Sequence, residues 1–212
     1  MALMRVNPTR MELTKLKKRL VVATRGHKLL KDKRDEMVRQ FMLLIRRNRA
    51  LREEVEAALS AALAGFVLAR VAMSKETMDE ALLYPVREVE LQVSRANIMS
   101  VDVPKISYSE KKQDRSFFPY GLLFTSAELD DATTKLASVL PQMVELAELE
   151  KTCNMLADEI EKTRRRVNAL EYVMIPQLEE TIRFIRMKLD ENERGNLIRL
   201  MKTKDMIAKR EA

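Results

Sequence analysis

From Leu13 onward, apolar residues return at alternating steps of three and four: positions 13, 16, 20, 23, 27, 30, 34, 37, 41, 44, 48, 51, 55, 58, 62, 65, 69 and 72. Fourteen of these 18 are apolar, and the exceptions are His27, Arg34, Asn48 and Gly65. A 3-4 repeat held over so many turns predicts a coiled-coil helix, because only a narrow seam is set aside for a partner. No proline stands between Pro8 and Pro85. Asn7 and Pro8 suit a helix start, as N-cap and first helical residue. Val6 and Met11 are spaced for a hydrophobic staple, and Thr9-Arg-Met-Glu12 offers a capping box if the start slips by two residues. At a rise of about 1.5 Å per residue, a helix over 8–80 would extend roughly 110 Å.

The second half repeats the pattern. Leu146, Leu149, Cys153, Leu156, Ile160, Thr163, Val167 and Leu170 keep the 3-4 spacing, with only Thr163 polar. Beyond Leu170 the apolar positions run 174, 178, 182, then 185 and 189. Successive steps of four form a stutter, which locally unwinds a left-handed supercoil. Pro176 lies inside it, so a bent but continuous helix is expected there. Gly195 is expected to end the regular part, leaving a frayed, basic tail.

Between these segments the period changes. Val89-Glu-Leu-Gln-Val93 and Val101-Asp-Val103 alternate with period two and predict two short strands, with Arg95 to Asn97 near the turn. Lys105 to Arg115 is polar and reads as loop, and Phe117-Phe-Pro-Tyr-Gly121 marks a turn. Thr125-Ser-Ala-Glu128 reads as a capping box opening a short helix that Pro141 interrupts. Two long helical segments joined by a compact insertion must fold back on each other. The expected fold is all-α dominated: a long antiparallel two-helix coiled coil with both termini at one end. A small central insertion, a β-hairpin and a short helix, lies at the other. The segments are 1–84, 85–141 and 142–212.

Composition agrees with long helices. Charged residues make up 33% of the 212 residues and aromatics 5%, with only 4 Gly and 6 Pro, which disfavours a broad globular core. Cys153 is the single cysteine, so no intramolecular disulfide can form and a reducing compartment fits. Met1 to Arg10 has no apolar run of secretory-signal type. The most apolar stretch, Ala57 to Ala69, is 13 residues long with only Ser60 interrupting, short of the roughly 18 that span a membrane. A soluble chain is expected. The net charge is +7, unevenly placed: residues 1–49 hold 15 Lys+Arg against 4 Asp+Glu, or +11, so the remainder carries −4. Such asymmetry implies an anionic partner for the N-terminal segment: nucleic acid, lipid or an acidic protein surface.

No catalytic constellation accompanies this charge. There is no G-x-x-x-x-G-K-[ST] loop, no cysteine pair for zinc, and no second histidine to share a metal with His27. No catalytic, cofactor or metal residue is therefore assigned. His27 and Cys153 read as seam residues, and Asn48 and Arg34 as register devices, since a buried polar group penalises other alignments. No stacking aromatics accompany the basic helix, so a plain solvated surface competes with nucleic-acid binding. The stretch 57–69 is apolar on two sides: Leu59, Leu63 and Phe66 form one stripe, and Ala58, Ala62, Gly65, Ala69 and Ala72 another. Such a helix needs cover on both sides, from the chain's own 128–140 segment or from a second protein.

Four motifs resemble a known family. They are Val6-Asn-Pro-Thr-Arg-Met-Glu-Leu13, Arg25-Gly-His-Lys-Leu-Leu-Lys-Asp-Lys33, Glu161-Lys-Thr-Arg-Arg-Arg-Val-Asn-Ala-Leu-Glu-Tyr172 and Ile175-Pro-Gln-Leu-Glu179. They resemble the D-subunit family of V-type (vacuolar/archaeal-type) rotary ATPases, over about residues 6–80 and 128–190, and the similarity thins over 85–125 and after Gly195. The resemblance implies a non-catalytic central-stalk rotor component whose coiled coil enters a ring of alternating A and B subunits. It implies a small F subunit bound along the coil, and a funnel-like subunit linking the coil to the membrane rotor ring. The complex would transport protons or sodium ions, coupled to ATP hydrolysis or synthesis, with this chain peripheral on the cytoplasmic face. Carried onto this sequence, Leu59, Leu63, Phe66 and Val67 would meet the F subunit. Arg10, Arg25, Lys28, Arg164, Arg165 and Arg166 would meet the A/B ring. The residues alone leave open a coiled-coil adaptor that does not rotate, or a nucleic-acid or anionic-membrane binder.

Overall fold

The computed structural model describes Met4, residues 6–83 and 88–111, Phe118, Tyr120, Gly121 and residues 125–211; the side chains of 110, 111 and 208–211 are not among them. Helix α1 spans Arg10–Ala72 and α2 Lys75–Ala81; strands β1 and β2 span Glu88–Ile98 and Val101–Lys111. Helix α3 covers Ala127–Ala169, and a five-residue π-turn, Leu170–Met174, leads without a break into α4, Ile175–Glu211. The chain divides into two compact units, Met1–Glu36 with Ile160–Ala212, and Met37–Glu159.

In the first unit, the start of α1 pairs antiparallel with α4. Thr9 is the N-cap, its Oγ1 accepting the Glu12 N–H at 3.2 Å, so the helix starts two residues after Asn7. Leu16 is buried with Leu178, Ile182 and Ile185, and Leu13, Leu20, Ala23 and Leu189 pack around them. An Arg10–Glu193 ion pair lies nearby. Leu13, Leu16 and Leu20 thus meet residues 178–189. The expected stop at Gly195 does not occur, because α4 runs on to Glu211. One helical glycine costs only about 1 kcal/mol relative to alanine, and good helix formers surround this one. The stutter resolves as the π-turn, in which the Ile175 N–H reaches back five residues to the Leu170 carbonyl. Pro176 has no N–H to offer the next carbonyl, and the helix continues through it, as the stutter predicts.

In the second unit, residues of α1 from Met37 onward pair with α3. Ala62 and Ala69 are fully buried, as are Leu129 and Ala132. A Cβ added at Gly65 would lie 3.0 Å from the Ala132 Cβ, so the two backbones approach as closely as small residues permit. Further along, the Asn48 side chain hydrogen-bonds the Cys153 thiol, one seam position to another. Helix α1 stops at Ala72 and does not run on to 80. Ser74 interrupts it and caps α2 instead, its Oγ accepting the Thr77 N–H at 3.3 Å. Pro141 does not interrupt α3. It is exposed, while Val139 before it and Leu149 and Cys153 after it are buried in one seam; packing on both sides outweighs a penalty of about 3 kcal/mol. The capping box at Thr125 is not formed either. Its hydroxyl donates to the Gly121 carbonyl at 3.2 Å, and α3 begins at Ala127.

The hairpin is longer than its alternating core. Glu88–Ile98 pairs antiparallel with Val101–Lys111 throughout, so Lys105 to Lys111, read as loop, is strand; the rest of that stretch, 112–115, lies outside the described residues. Polar strand residues give no burial signal, yet their backbones pair all the same. Residues Met99 and Ser100 make the turn with φ of 52° and 71°, a left-handed pair that hairpin twist demands but that lacks the usual Asn-Gly signature. Asn97 holds it: its amide oxygen accepts the Ser100 N–H at 3.0 Å and its nitrogen donates to Asp102 at 2.8 Å. The hairpin does not cap the end of the coil. Val101 and Val103 lie on Leu156, with Phe41 and Leu44 against them, and the Ile106 N–H donates to a Glu148 carboxylate oxygen at 2.7 Å.

Two outcomes are expected of this packing. Gly65→Ala should be nearly neutral in urea unfolding, because a helix-propensity gain of about 1 kcal/mol offsets the crowding. Gly65→Leu should cost about 1–3 kcal/mol, since the seam has no room for it. Replacing Met99 by Asn and Ser100 by Gly together should stabilise the hairpin by about 1 kcal/mol, relieving two left-handed side chains. Slower amide exchange of β1 and β2 would register that gain.

Candidate functional site

The doubly apolar stretch of α1 is half answered within the chain. Its Ala/Gly stripe is covered by α3, through Ala62, Gly65 and Ala69. Of the other stripe, Leu59 is half-buried and Phe66 packs against the cluster of Ala69, Ala81 and Leu129. Leu63 and Val67 stay open at 52% and 65% exposure, continued by Leu68 and Val71. Helix α1 also holds an 18-residue window of mean hydropathy 1.7, long and apolar enough by composition to cross a membrane. Isolated apolar side chains on a surface are ordinary, whereas a contiguous row of this kind marks a contact surface.

The basic residues divide by role. Arg164, Arg165 and Arg166 are all exposed, while Thr163 and Val167 on either side are buried; successive helix positions lie about 100° apart, so the triplet fans around the outside. Arg165 is tied to Glu161 at 2.5 Å. Arg25 and Lys28 are exposed on α1. Arg10 already has a carboxylate partner in Glu193, which makes it a weaker candidate for an outside contact.

The polar seam residues serve the helix pairs. His27 Nε2 stands 3.4 Å from Glu171 on the opposing helical segment. Arg34, by contrast, is bound at 2.6 Å to Asp35, the next residue of its own helix, so this ion pair does not cross the seam as a register device would. Burial pushes the Cys153 thiol upward in pKa, and the Asn48 hydrogen bond opposes the shift, so the thiol is held protonated and unreactive. Burial also pushes Tyr120 up to about 12, with its hydrogen bond and proximity to Asp130 acting the same way and Thr133 opposing; its hydroxyl donates to Asp130 at 2.8 Å. Among the described residues, no three His, Cys, Asp or Glu side chains gather as a metal site would require.

Sequence reasoning missed a groove of about 600 Å³ beside the π-turn, lined by Met4, Val22, Ala23, Gly26, Leu170 and Met174 among others. Its origin is local. Steps of four would carry Met174 in the seam, but the π-turn adds a residue and turns it outward, leaving Met174 and Tyr172 exposed. Opposite, Gly26 has no side chain to fill the space, and a Cβ there would meet nothing within 4 Å. The cations Lys15, Lys18 and Arg19 rim the groove. Lys15 is engaged by Glu12 at 3.3 Å, and among the described residues neither Lys18 nor Arg19 has an ion-pair partner. The usable signal was Gly26 itself: a mid-helix glycine costing about 1 kcal/mol with no turn to make.

The chain has close relatives among known proteins. The family of ATP synthase D subunits matches residues 12–205. The chain is 61% identical over 208 residues to the V-type ATP synthase D subunit of Acetivibrio thermocellus, covering 98% of this chain and 94% of that protein. It is 58% identical over 211 residues to the V-type ATP synthase D subunit of Clostridium novyi, covering 99% and 98%. It is also 58% identical over 209 residues to that of a Thermoanaerobacter species, covering 99% and 100%. With long antiparallel helix pairs, a two-stranded hairpin and sequence identity along almost its whole length, the chain belongs to the D-subunit family of V-type ATP synthases.

Proposed function

We propose that this chain is the non-catalytic central shaft of a rotary ATPase, coupling ATP hydrolysis or synthesis in an A/B ring to the transport of protons or sodium ions. The observation that carries this reading is the chemical inequality of the sides of a stiff helix pair. In the first unit an exposed arginine triplet fans around the outside, and an apolar groove opens beside the π-turn. A shaft must present different surfaces to equivalent catalytic sites, so that contact free energy favours a different nucleotide state at each. Exposed Arg and Lys side chains suit a surface that turns, because their attraction is long-ranged and weakly directional. The exposed row of Leu63 and Val67, with Leu59 and Phe66 behind it, suits the small F subunit. The chain would then sit peripherally at the cytoplasmic face, joined to the membrane rotor ring by a funnel-like subunit. Its apolar α1 window would be covered by α3 and a protein partner and would not lie in lipid. Purification of the native complex at moderate salt, with its components identified by mass, tests the whole reading. Recovery of this chain without A and B subunits would overturn it.

Two variants, one double and one triple, test the surfaces separately. Leu63→Glu with Val67→Glu should weaken binding of the F subunit at least about 100-fold, the scale of a central interface loss of roughly 3 kcal/mol. Helicity should hold, since both side chains are open to water; Phe66 is a poorer choice because it packs on its own chain. Calorimetric titration with the F subunit reads the result. Replacing Arg164, Arg165 and Arg166 by Gln should change the isolated chain's stability by no more than about 1 kcal/mol. Ring affinity should fall at low salt, and the difference should vanish near 1 M salt, where the screening length is about 3 Å. Equal affinities at low salt would show the triplet to be merely solvated.

A further inference from the structure

We infer that the groove beside the π-turn is a docking surface for an acidic, apolar-tipped segment of one ring subunit at a time, an inference that rests on the shaft reading above. Three features converge on it. Gly26 is neither at a turn nor in close contact: it lies inside α1, and a Cβ on it would touch nothing within 4 Å. A helix retains such a residue at a loss of stability, and inside the chain nothing recovers that loss. A partner approaching the backbone there from outside would recover it. The π-turn supplies the second feature. It removes Met174 from the seam and leaves it lining the groove with Leu170, facing Val22 and Ala23. Single π-turns inserted in α-helices are frequent at functional sites.

Charge, the third feature, identifies the occupant. Lys15, Lys18 and Arg19 rim the opening, and among the described residues only Lys15 is answered by a carboxylate, from Glu12. An apolar floor under unanswered cations fits an apolar side chain flanked by Asp or Glu. A second copy of this chain would bring the same cations against these and be repelled. A groove of about 600 Å³ is the size of a small-ligand pocket and holds the few side chains of a short segment, not a whole interface, so its occupation is readily exchanged. Lying at one place on the shaft, it engages one of several equivalent ring subunits at any moment. It therefore adds a one-sided contact to the asymmetry that the shaft reading requires.

The test uses the reconstituted complex. Gly26→Leu should leave the isolated chain as stable as wild type or more so, because it fills open space and removes a helical glycine. Binding of the F subunit should be unaltered, which reports correct folding. Affinity for the A/B ring should nevertheless fall at least about tenfold, and Val22→Glu should produce the same loss by opposing an acidic occupant. A photoreactive group attached at Val22→Cys, in a Cys153→Ser background, should cross-link to an acidic segment of a ring subunit. Unchanged ring affinity for both variants would overturn the inference, as would cross-linking to the F subunit, to a second copy of this chain or to lipid. If the wild-type chain itself fails to join the ring, the shaft reading has failed. If wild type joins and the variants join equally, only the groove assignment has.

Discussion

Everything in this chain depends on a narrow seam between antiparallel helices. The seam contributes the apolar burial that an elongated chain with few aromatics can achieve, one or two residues per turn. All the 3-4 positions from Leu13 to Ala69 are buried or half-buried, and Ala72, the last, is exposed where α1 ends. Local features then bend to that seam. Pro141 stays inside α3 because seam contacts hold on either side of it. Gly195 stays inside α4 because nothing in its neighbourhood favours a stop. A single unfavourable residue costs about 1–3 kcal/mol, the size of one well-buried side chain.

The seam is not uniform, and its variations are where chemistry reaches the surface. Around Gly65 and Ala132 it is built of small residues and the helices approach closely, so the larger side chains of the same stretch are left on the outside. Around Leu156 it opens to admit the hairpin, and Phe41 and Leu44 serve both the helix pair and the strands. At Leu170–Met174 it loses a residue altogether. Each irregularity converts a repetitive pattern into a particular surface: an apolar row, a docked hairpin, a groove. A regular coiled coil would present much the same side to every partner; this one does not.

Two polar seam residues find partners across the helix pairs. Asn48 meets the Cys153 thiol, and His27 meets Glu171. Sliding the first pair by a heptad would leave Asn48 without the thiol, a loss of up to roughly 1–3 kcal/mol for a buried unsatisfied group, whereas the more exposed His27–Glu171 pair costs less to break. Register matters more here than in a scaffold, because a shift of one helix would move the arginine triplet relative to Arg25 and Lys28. The exposed ion pairs between helix surfaces, such as Arg47 with Glu145 at 2.5 Å, add little in comparison.

By itself the sequence determined that long helical segments pair antiparallel along a 3-4 seam and that Arg164 to Arg166 fan outward, because periodicity is a local property that burial then enforces; that α1 stops at Ala72, and that the later helices run through Pro141 and Gly195, it did not. It also carried the family, through four motifs whose spacing spans both helical segments. Three things were decided only in three dimensions. The hairpin outgrew its alternating core because polar strand residues pair through backbone bonds that no side-chain pattern reports. Phe66 turned inward, while Leu63 and Val67 stayed open, because α2 and α3 arrived on one side of α1 only. The groove arose because a stutter can be absorbed by gentle unwinding or by one inserted π-turn, and both satisfy the same sequence. In the folded chain the extra residue lies before Pro176, Leu178, Ile182 and Ile185 pack on Leu16 beyond it, and Met174 turns out while Gly26 faces open space.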